Sequence, residues 1–209
     1  MERIVTMAAA LALAKSKVGN SDRFVLGLVG KPGAGKSTLA NYLIDNLPAK
    51  DVALIPMDGY HLSNKVLKAL GRDQRKGAPD TFDVESYVQI LKRIKEDKTE
   101  TIYFPIFHRE IEESVAAEGV IYPETKLVIT EGNYLLHNSG GWDKVKKYLD
   151  ETWFVEVDDT LRLERLISRH QKFGRTLEEA KSWVENSDEK NANLIEKTKI
   201  NADYIFLNS

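Results

Sequence analysis

Short apolar runs alternate with longer amphipathic stretches along most of this chain. The apolar runs have the length and β-branched content of buried strands and lie at residues 24–29, 51–57, 126–130, 152–157 and 203–207. Helical periodicity marks the segments between them, at residues 84–95, after Trp142, at 161–172 and from Leu177 towards Lys197, and a further helix is expected from Ser37 onward. Strands separated by helices form parallel sheets covered on both faces. The pattern therefore predicts a doubly wound α/β fold.

The first twenty residues contain an apolar run that has two interpretations. Residues 4–14 resemble the core of a signal peptide. Apolar residues also recur there at three- and four-residue steps, which favours an amphipathic helix docked on the core; they are Ile4, Met7, Leu11, Ala14 and Val18. We expect the docked helix within residues 1–20, as part of a single domain spanning residues 1–209.

Two irregular segments interrupt the alternation. Residues 60–83 are polar, basic and punctuated by glycine and proline, which is typical of a loop with one short helix. Residues 101–122 fit a small edge hairpin outside the main sheet. Long irregular segments in compact domains tend to be functional, so both are expected to line a substrate pocket.

Composition limits the classes of partner. The chain has 209 residues and a formal net charge of -2, so its overall charge supports neither a nucleic-acid nor a membrane partner. No apolar stretch is long enough to span a membrane. The absence of cysteine excludes disulfides, thiolate catalysis and cysteine-bound metal centres. We expect a cytoplasmic enzyme with a small-molecule substrate. Whether it forms a homodimer is left open.

The turn after the first predicted strand carries the strongest chemical signal. Residues 30–37 read Gly-Lys-Pro-Gly-Ala-Gly-Lys-Ser, which matches the phosphate-binding loop between a strand and a helix. Backbone N–H groups of such a loop and the helix N-terminus face phosphate oxygens. The side chain of Lys36 is expected to reach the β- and γ-phosphates of ATP, and the hydroxyl of Ser37 to bind Mg²⁺. The predicted nucleotide-binding residues are Gly30, Gly33, Ala34, Gly35, Lys36, Ser37 and Thr38.

Carboxylates end two of the other predicted strands. Asp58 follows the strand at 51–57, and Glu131 follows the strand at 126–130. Ligands of parallel α/β sheets bind at the carboxyl ends of the strands, so both side chains should face the phosphates. We assign Asp58 as the base that accepts the proton of an acceptor hydroxyl. Glu131 is assigned to Mg²⁺ or to the substrate, although each residue could also be an ordinary polar strand end.

A basic helix follows near residues 160–176. Arg162, Arg165 and Arg169 recur at three- and four-residue steps, and Arg175 comes after Gly174. Kinases use mobile guanidinium groups that close over the transferred phosphate. We interpret the segment as a lid that carries Arg165, Arg169 and Arg175, with a solvated helix face as the alternative.

The remaining candidate residues lie in the two irregular segments. His61 stands three positions after Asp58, and His108 with Arg109 follows an aromatic run. The residues expected to line the acceptor pocket are Tyr60, His61, Lys76, Asp80, His108, Arg109 and Glu131. A polar pocket of this composition suits a polyol better than a stacked nucleobase.

Several blocks of the chain resemble the P-loop small-molecule kinases, the family of uridine kinase, phosphoribulokinase and bacterial pantothenate kinase. Beyond the phosphate loop, the blocks are Met-Asp-Gly-Tyr-His at 57–61, Arg-Lys-Gly-Ala-Pro-Asp-Thr-Phe-Asp at 75–83, Thr-Glu-Gly-Asn-Tyr-Leu-Leu at 130–136 and Ala-Asp-Tyr-Ile at 202–205. The resemblance implies a catalytic aspartate at Asp58, a magnesium- or substrate-linked glutamate at Glu131, and an arginine lid from Arg165 through Arg175.

Departures from the family patterns bear on the acceptor. Uridine kinases carry a ribose-binding aspartate two positions before the proline, where this chain has Gly77. They also place a tyrosine near the base, where this chain has Phe107. Pantothenate kinase is a much longer enzyme. The chain is most similar to a bacterial branch labelled fructose transport system kinase or pantothenate-kinase-like, which shares the block at Glu131 and the Asn-Ala-Asn-Leu-Ile block at Asn191.

These observations predict an ATP- and Mg²⁺-dependent kinase that phosphorylates a hydroxyl of a small metabolite, with a sugar or sugar-like alcohol favoured. Uridine or another nucleoside and pantothenate are the alternative acceptors. A regulatory module that hydrolyses ATP beside a transporter is the alternative of another class, and a nucleic-acid kinase is a third.

Overall fold

The computed structural model describes residues 2–19 and 23–208, and these residues form eight strands. In chain order the strands are β1 (Glu2–Ile4), β2 (Phe24–Val29), β3 (Val52–Pro56), β4 (Ile102–His108), β5 (Glu113–Ile121), β6 (Leu127–Gly132), β7 (Glu151–Glu156) and β8 (Tyr204–Leu207). Six of them make one parallel sheet in the order β1-β8-β7-β2-β6-β3, and β4 pairs with β5 as a separate antiparallel hairpin. The predicted doubly wound α/β fold is confirmed.

Seven α-helices surround the sheet within the described residues. They are α1 (Met7–Val18), α2 (Lys36–Asp45), α3 (Asn64–Ala69), α4 (Val84–Glu96), α5 (Asp159–Lys172), α6 (Leu177–Trp183) and α7 (Glu189–Glu196). Nowhere in these described segments is a helix both long and apolar enough to cross a bilayer.

The central strand β2 shows why the sheet is buried on both faces. Its side chains alternate between two apolar cores, so that Val25 packs on one side and Leu26 on the other. Helix α4 covers the first face, where Tyr87 is fully buried, and α2 covers the second face, where Leu39 is fully buried. A strand buried on both faces has to be apolar throughout, which explains the continuous apolar run in the sequence.

The N-terminal segment differs in part from the expected helix. Ile4 belongs to β1, which pairs with β8 at the sheet edge, and α1 begins only after Thr6. The hydroxyl of Thr6 accepts a hydrogen bond from the N–H of Ala9 at 3.0 Å. Thr6 is thus the N-cap of α1, and the helix begins directly after it. Helix α1 then packs on the α2 side of the sheet through Ala10 and Ala14. Residues 1 and 20 of the expected helical segment lie outside the described residues.

Two predicted helices are wrong in detail. After Trp142 the chain makes two short 3₁₀ turns, Trp142–Lys144 and Lys146–Tyr148, because few residues remain before β7 begins. The long helix expected from Leu177 is divided into α6 and α7 by a π-helical segment at Val184–Asp188. Such π-helical insertions often occur at functional sites.

Both irregular segments lie beside the carboxyl edge of the sheet. Residues 60–83 contain one short α-helix, α3, and the loop that follows it accepts hydrogen bonds from two buried aromatic side chains. The hydroxyl of Tyr134 donates to the carbonyl of Gly77 at 2.6 Å, and the indole of Trp142 donates to the carbonyl of Pro79 at 3.0 Å. The segment at 101–122 forms the expected hairpin of β4 and β5.

Candidate active site

A polar cavity of about 400 Å³ opens at the carboxyl ends of β2, β6 and β3. These strands are neighbours in the sheet, so the loop after β2, the end of β6 and the turn after β3 meet at one edge. Side chains from all three segments line the cavity, among them Lys36, Glu131 and Asp58. The structure thus brings together the principal residues that the sequence placed at strand ends.

The phosphate loop, Gly30–Ser37, curls between β2 and α2. Gly35 precedes the helix with φ 92°, a left-handed conformation that favours glycine. A β-carbon at Gly35 would also lie 2.2 Å from Nδ2 of Asn208, a group that donates to the carbonyl of Ala34 at 2.8 Å. Backbone geometry and close packing therefore both require glycine at this point.

Lys36 is buried at the base of the cavity. Its ammonium donates to the carbonyls of Gly30 and Lys31 at 2.9 and 3.1 Å, and to Oδ1 of Asn133 at 2.7 Å. Burial lowers the pKa of Lys36 to about 8, against the opposing effect of the charge of Glu131. The ammonium is held by neutral oxygens and has no salt bridge within residues 2–19 and 23–208, so its positive charge is available to an incoming anion.

Ser37 and Glu131 present oxygen atoms side by side. The hydroxyl of Ser37 donates to Oε1 of Glu131 at 3.0 Å. Burial raises the pKa of Glu131, and the charge of Asp58 nearby adds to the rise. A hydroxyl and a carboxylate at the start of a phosphate-binding helix are hard donors of the kind that Mg²⁺ binds, with water and phosphate completing its shell. The pair fits that ion.

Asp58 lies in a 3₁₀ turn, Met57–Tyr60, directly after β3. Its Oδ2 accepts a hydrogen bond from Nη2 of Arg109 at 2.8 Å. Burial pushes the pKa of Asp58 upward, but the neighbouring His61 and Arg109 outweigh burial and leave the pKa below its usual value. Asp58 is therefore an ionised carboxylate that can accept a proton.

An aromatic wall stands next to Asp58. The imidazole of His61 lies 4.0 Å from the ring of Phe82 and 4.7 Å from that of Phe107, measured between centroids. Nδ1 of His61 is 2.8 Å from the carbonyl of Asp58, and burial lowers the pKa of the ring. His61 thus forms an aromatic wall of the cavity beside Asp58.

Three arginines of the predicted lid reach the cavity region without an anionic partner among the described residues. Arg169, on α5, lines the cavity, and its pKa is lowered by burial and then by the charge of Arg109. Arg175 stacks on the indole of Trp183 at 3.7 Å. Arg165 lies beside the phosphate loop, since a β-carbon at Gly35 would be 3.6 Å from its Nη1. Partly buried guanidinium groups without a carboxylate partner are suited to bind an anionic ligand.

Three residues predicted to line the pocket do not line it. Tyr60 is buried in the core, where its ring packs 5.1 Å from that of Tyr87. Asp80 is turned towards Arg75, which it binds through both carboxylate oxygens. His108 faces along the hairpin to Glu118 at 2.6 Å. Each of these three side chains contacts a neighbouring residue outside the cavity, which corrects the sequence-based assignment. Lys76, Arg109 and Glu131 do line the cavity.

Arg162 also differs from expectation. It was grouped with the lid arginines by spacing, yet its side chain is 1% exposed and bound to Asp159 and Glu189. Its Nη1 also lies 3.4 Å from the carbonyl of Pro32 in the phosphate loop. The partner Glu189 comes from a distant helix, so the helical spacing of the arginines could not separate Arg162 from the others.

The site contains further residues that the sequence did not single out. Oδ1 of Asn133 accepts a hydrogen bond from the ammonium of Lys36, and the indole of Trp183 stacks on the guanidinium of Arg175. Nε2 of His170 and Oδ2 of Asp188 lie 2.7 Å apart on the cavity wall. Asn133 stands two positions after Glu131 within the block at 130–136, but nothing in that block indicated its contact with Lys36.

A parallel α/β sheet with this phosphate loop and these arginines has the architecture of a P-loop kinase. The Phosphoribulokinase / Uridine kinase family profile matches residues 25–208, and the chain belongs to that family. It is similar to "Putative uridine kinase C227.14" of Schizosaccharomyces pombe, at 30% identity over 89% of this chain and 83% of that protein. It is also 30% identical to a pantothenate kinase of Enterococcus faecalis, over 66% of this chain and 46% of that enzyme.

A solved structure resembles the whole chain. It is described as a "putative fructose transport system kinase" from Silicibacter sp. TM1040, with a TM-score of 0.81, 32% identity, and coverage of 94% of this chain and 98% of the other. Family membership makes the protein an ATP-dependent phosphotransferase that acts on a small molecule. The names of these relatives differ in acceptor, so the acceptor has to be argued from the site.

Proposed function

We propose that this protein transfers the γ-phosphoryl group of ATP to a hydroxyl of a sugar or sugar-like alcohol. Asp58 takes the proton of that hydroxyl, whose oxygen forms a bond to the γ-phosphorus while the bond from that phosphorus to the bridging oxygen of ADP breaks. Lys36 and the N–H groups of the phosphate loop bind the phosphates. Arg165, Arg169 and Arg175 surround them from the lid side.

Mg²⁺ would be held by Ser37 and Glu131, and its charge would neutralise the phosphate oxygens during transfer. The residues of this chain orient the phosphates and shape the acceptor pocket. Phe107 and His61 shape the acceptor side of the cavity and exclude water from it, and Asn133 orients Lys36 through a hydrogen bond. Water must be excluded because it would otherwise compete with the acceptor for the phosphoryl group.

The position of Asp58 is the observation that carries the proposal. The carboxylate lies at the carboxyl end of β3, one strand away from Glu131 and within electrostatic range of Lys36, so it borders the phosphate-binding region. An enzyme that only hydrolysed ATP would have no need of an acceptor cavity walled by two irregular segments. The polar lining favours a sugar-like acceptor. Gly77 and Phe107 favour it too, because uridine kinases have an aspartate and a tyrosine at these two positions.

The test replaces Asp58 by asparagine and measures ADP release with sugars, nucleosides and pantothenate as acceptors. Wild-type turnover should rise above background hydrolysis with at least one sugar-like alcohol. The Asp58→Asn variant should lose about 10²- to 10⁴-fold of that rate, the usual contribution of a general base. Binding of Mg²⁺ and ATP should survive, because the change does not touch the phosphate loop.

The matched control is Asp45→Asn, an exposed aspartate at the end of α2 that should leave turnover unchanged. If no acceptor raises turnover and hydrolysis persists in the Asp58→Asn variant, the protein is an ATP-hydrolysing module and the kinase proposal fails. Turnover with uridine or pantothenate alone would retain the mechanism and replace the proposed acceptor. Because the reaction consumes ATP, a cytoplasmic location fits the proposal.

A further inference from the structure

Two stacked side chains, Arg175 and Trp183, lie on the lid side of the cavity. The guanidinium carbon of Arg175 is 3.7 Å from the centroid of the Trp183 indole, and both side chains line the cavity that contains Lys36. Arg175 comes from the turn after α5, whereas Trp183 is the last residue of α6. The stack therefore joins two elements of the lid on the wall of the cavity.

Stacking fixes the plane of a guanidinium without using its hydrogen-bond donors. The five N–H groups of an arginine lie in the guanidinium plane, so a ring packed on its face leaves all of them available. Among the residues that the structure describes, the side chain of Arg175 makes no hydrogen bond or ion pair. Arg162, by contrast, spends its donors on Asp159 and Glu189. Arg175 is thus held in place with its donors free for phosphate oxygens.

The carboxylate of Glu179 stands near Arg175 but is committed to another residue. Its Oε2 accepts hydrogen bonds from the N–H and the hydroxyl of Thr176 at 2.8 and 3.0 Å, which forms the capping box at the start of α6. These hydrogen bonds, and less strongly the charge of Arg175, lower the pKa of Glu179. Glu179 therefore serves the helix start and leaves the guanidinium to Trp183.

The backbone brings Arg175 back over the end of α5. Gly174 has φ 97°, a left-handed conformation that favours glycine after a helix, and the N–H of Arg175 donates to the carbonyl of His170 at 3.1 Å. Nε2 of His170 lies 2.7 Å from Oδ2 of Asp188, in the segment that follows Trp183. His170 thus contacts Arg175 through its carbonyl and the segment after Trp183 through its ring, so both partners of the stack are fixed to α5.

The π-helical segment at Val184–Asp188 explains why Trp183 and Asp188 face the same way. Residues five apart lie about 140° around an α-helix, because each residue turns it by about 100°. In the π-helical segment the N–H of Glu189 donates to the carbonyl of Val184, five residues earlier, which brings residues five apart nearly into line. Trp183 and Asp188 accordingly both line the cavity. A regular α-helix of the same residues would turn one of them away.

We propose that Trp183 is a positioning residue for Arg175. The indole holds the guanidinium in the orientation in which its N–H groups bind the phosphates of ATP, and the π-helical segment keeps the indole on the cavity wall. The proposal rests on the proposed function, which places Arg175 among the phosphate-binding arginines. Trp183 acts only through Arg175.

The experiment removes the aromatic face and measures ADP release from ATP and Mg²⁺. The acceptor is the sugar-like alcohol that gives the highest turnover or, if none does, water, because transfer to water develops the same charge on the phosphoryl group. Trp183→Leu should lower kcat by about 5- to 30-fold, the size expected from one partly desolvated cation–π contact. Trp183→Phe keeps a ring face and should stay within about 3-fold of the wild type. The KM for ATP should change by less than about 3-fold in both variants, because Lys36 and the phosphate loop are intact.

A double-mutant cycle separates positioning from a structural role. Arg175→Met should lower kcat at least as much as Trp183→Leu, and adding Trp183→Leu to Arg175→Met should change kcat by less than about 2-fold. A structural defect would instead multiply the two losses. The matched control is Tyr148→Leu, which removes a ring that lies 5.5 Å from the ammonium of Lys147 outside the cavity and should keep kcat within about 2-fold.

Fluorescence tests the stack itself in the nucleotide-free protein. Two of the three tryptophans, Trp142 and Trp153, are 1% and 0% exposed, whereas Trp183 is partly exposed and should account for most quenching by acrylamide. Arg175→Ala uncovers one face of the Trp183 indole and should raise the quenching constant. Trp183→Phe should remove most of the quenching and so assign the signal.

The inference is overturned by any of three results: Trp183→Leu keeps the wild-type kcat, its loss persists in the Arg175→Met background, or acrylamide quenches the wild type and Arg175→Ala equally. If Arg175→Met is slow in each of these cases, the proposed function stands. If Arg175→Met itself keeps the wild-type rate, Arg175 does not bind the phosphates, and the role proposed for it fails together with the inference. The behaviour of Arg175→Met alone therefore distinguishes the two failures.

Discussion

Two arginines on one helix should respond to the same substitution in opposite ways. Arg162 and Arg165 lie three residues apart on α5, one buried in salt bridges and the other without a hydrogen bond among the described residues. Arg162→Met should destabilise the fold. Arg165→Met should leave the fold intact and slow phosphate transfer.

The magnitude follows from the contacts of Arg162. Its guanidinium makes charged hydrogen bonds to Asp159 and Glu189, each worth about 1.5–3 kcal/mol when buried. Both carboxylates are partly exposed and would be rehydrated after the change, so we reduce the sum to about 2–3 kcal/mol. For a domain of this size that loss corresponds to roughly 5–10 °C in melting temperature. The affinity for ATP should fall as well, because Arg162 also contacts the carbonyl of Pro32.

Thermal and urea unfolding of the two variants, with the steady-state rate at saturating ATP, provide the measurements. Arg165→Met should melt within about 1 °C of the wild type and lose about 10-fold or more in kcat, because it removes the guanidinium that we propose binds the phosphates. The reasoning is refuted if Arg162→Met melts within about 2 °C of the wild type, or if the two variants are equally destabilised.

Two further predictions concern the residues around Asp58. Burial raises the pKa of Glu131 in the folded protein above its value in the unfolded chain. The folded protein therefore loses stability as the pH rises from the unfolded-state pKa through the folded-state pKa. Glu131→Gln should raise the melting temperature of the nucleotide-free protein at pH 8 and leave it unchanged at pH 4. An equal difference at both pH values would contradict this. At Gly59 a β-carbon would lie 2.1 Å from the carbonyl oxygen of Pro105, so Gly59→Ala should cost about 1–3 kcal/mol in urea unfolding and reduce kcat by displacing the hairpin. Gly19→Ala, which meets no atom within 4 Å, is the control, and equal stability of the two variants would count against the close contact.

Features with a local sequence pattern were predictable. The phosphate loop and the five apolar strands follow from short motifs and burial on both faces, and the hairpin follows from its position outside the alternation. The edge strand β1 was missed because three residues are too few for a periodic signal. Its pairing with β8 depends on a segment about two hundred residues away.

Side-chain direction explains the remaining differences at the site. His108 ends β4 directly before Arg109, and successive side chains of an extended chain point to opposite faces. Tyr60 lies two residues after Asp58 in a 3₁₀ turn of three residues per turn, so the two side chains point in different directions. Spacing also could not distinguish Arg162 from Arg165, since burial depends on the helix that packs against each residue. Hydrogen bonds to backbone carbonyls, such as that from Asn208 to Ala34, leave no pattern in the sequence.

The contact between Asn208 and the phosphate loop has a consequence for synthesis of the protein. The loop lies near the start of the chain and leaves the ribosome early, but the side chain that supports the carbonyl of Ala34 comes from the residue directly after β8. The nascent chain therefore cannot complete its nucleotide site until the last strand has inserted between β7 and β1. The support that Asn208 gives to the phosphate loop therefore exists only in a chain whose sheet already contains β8.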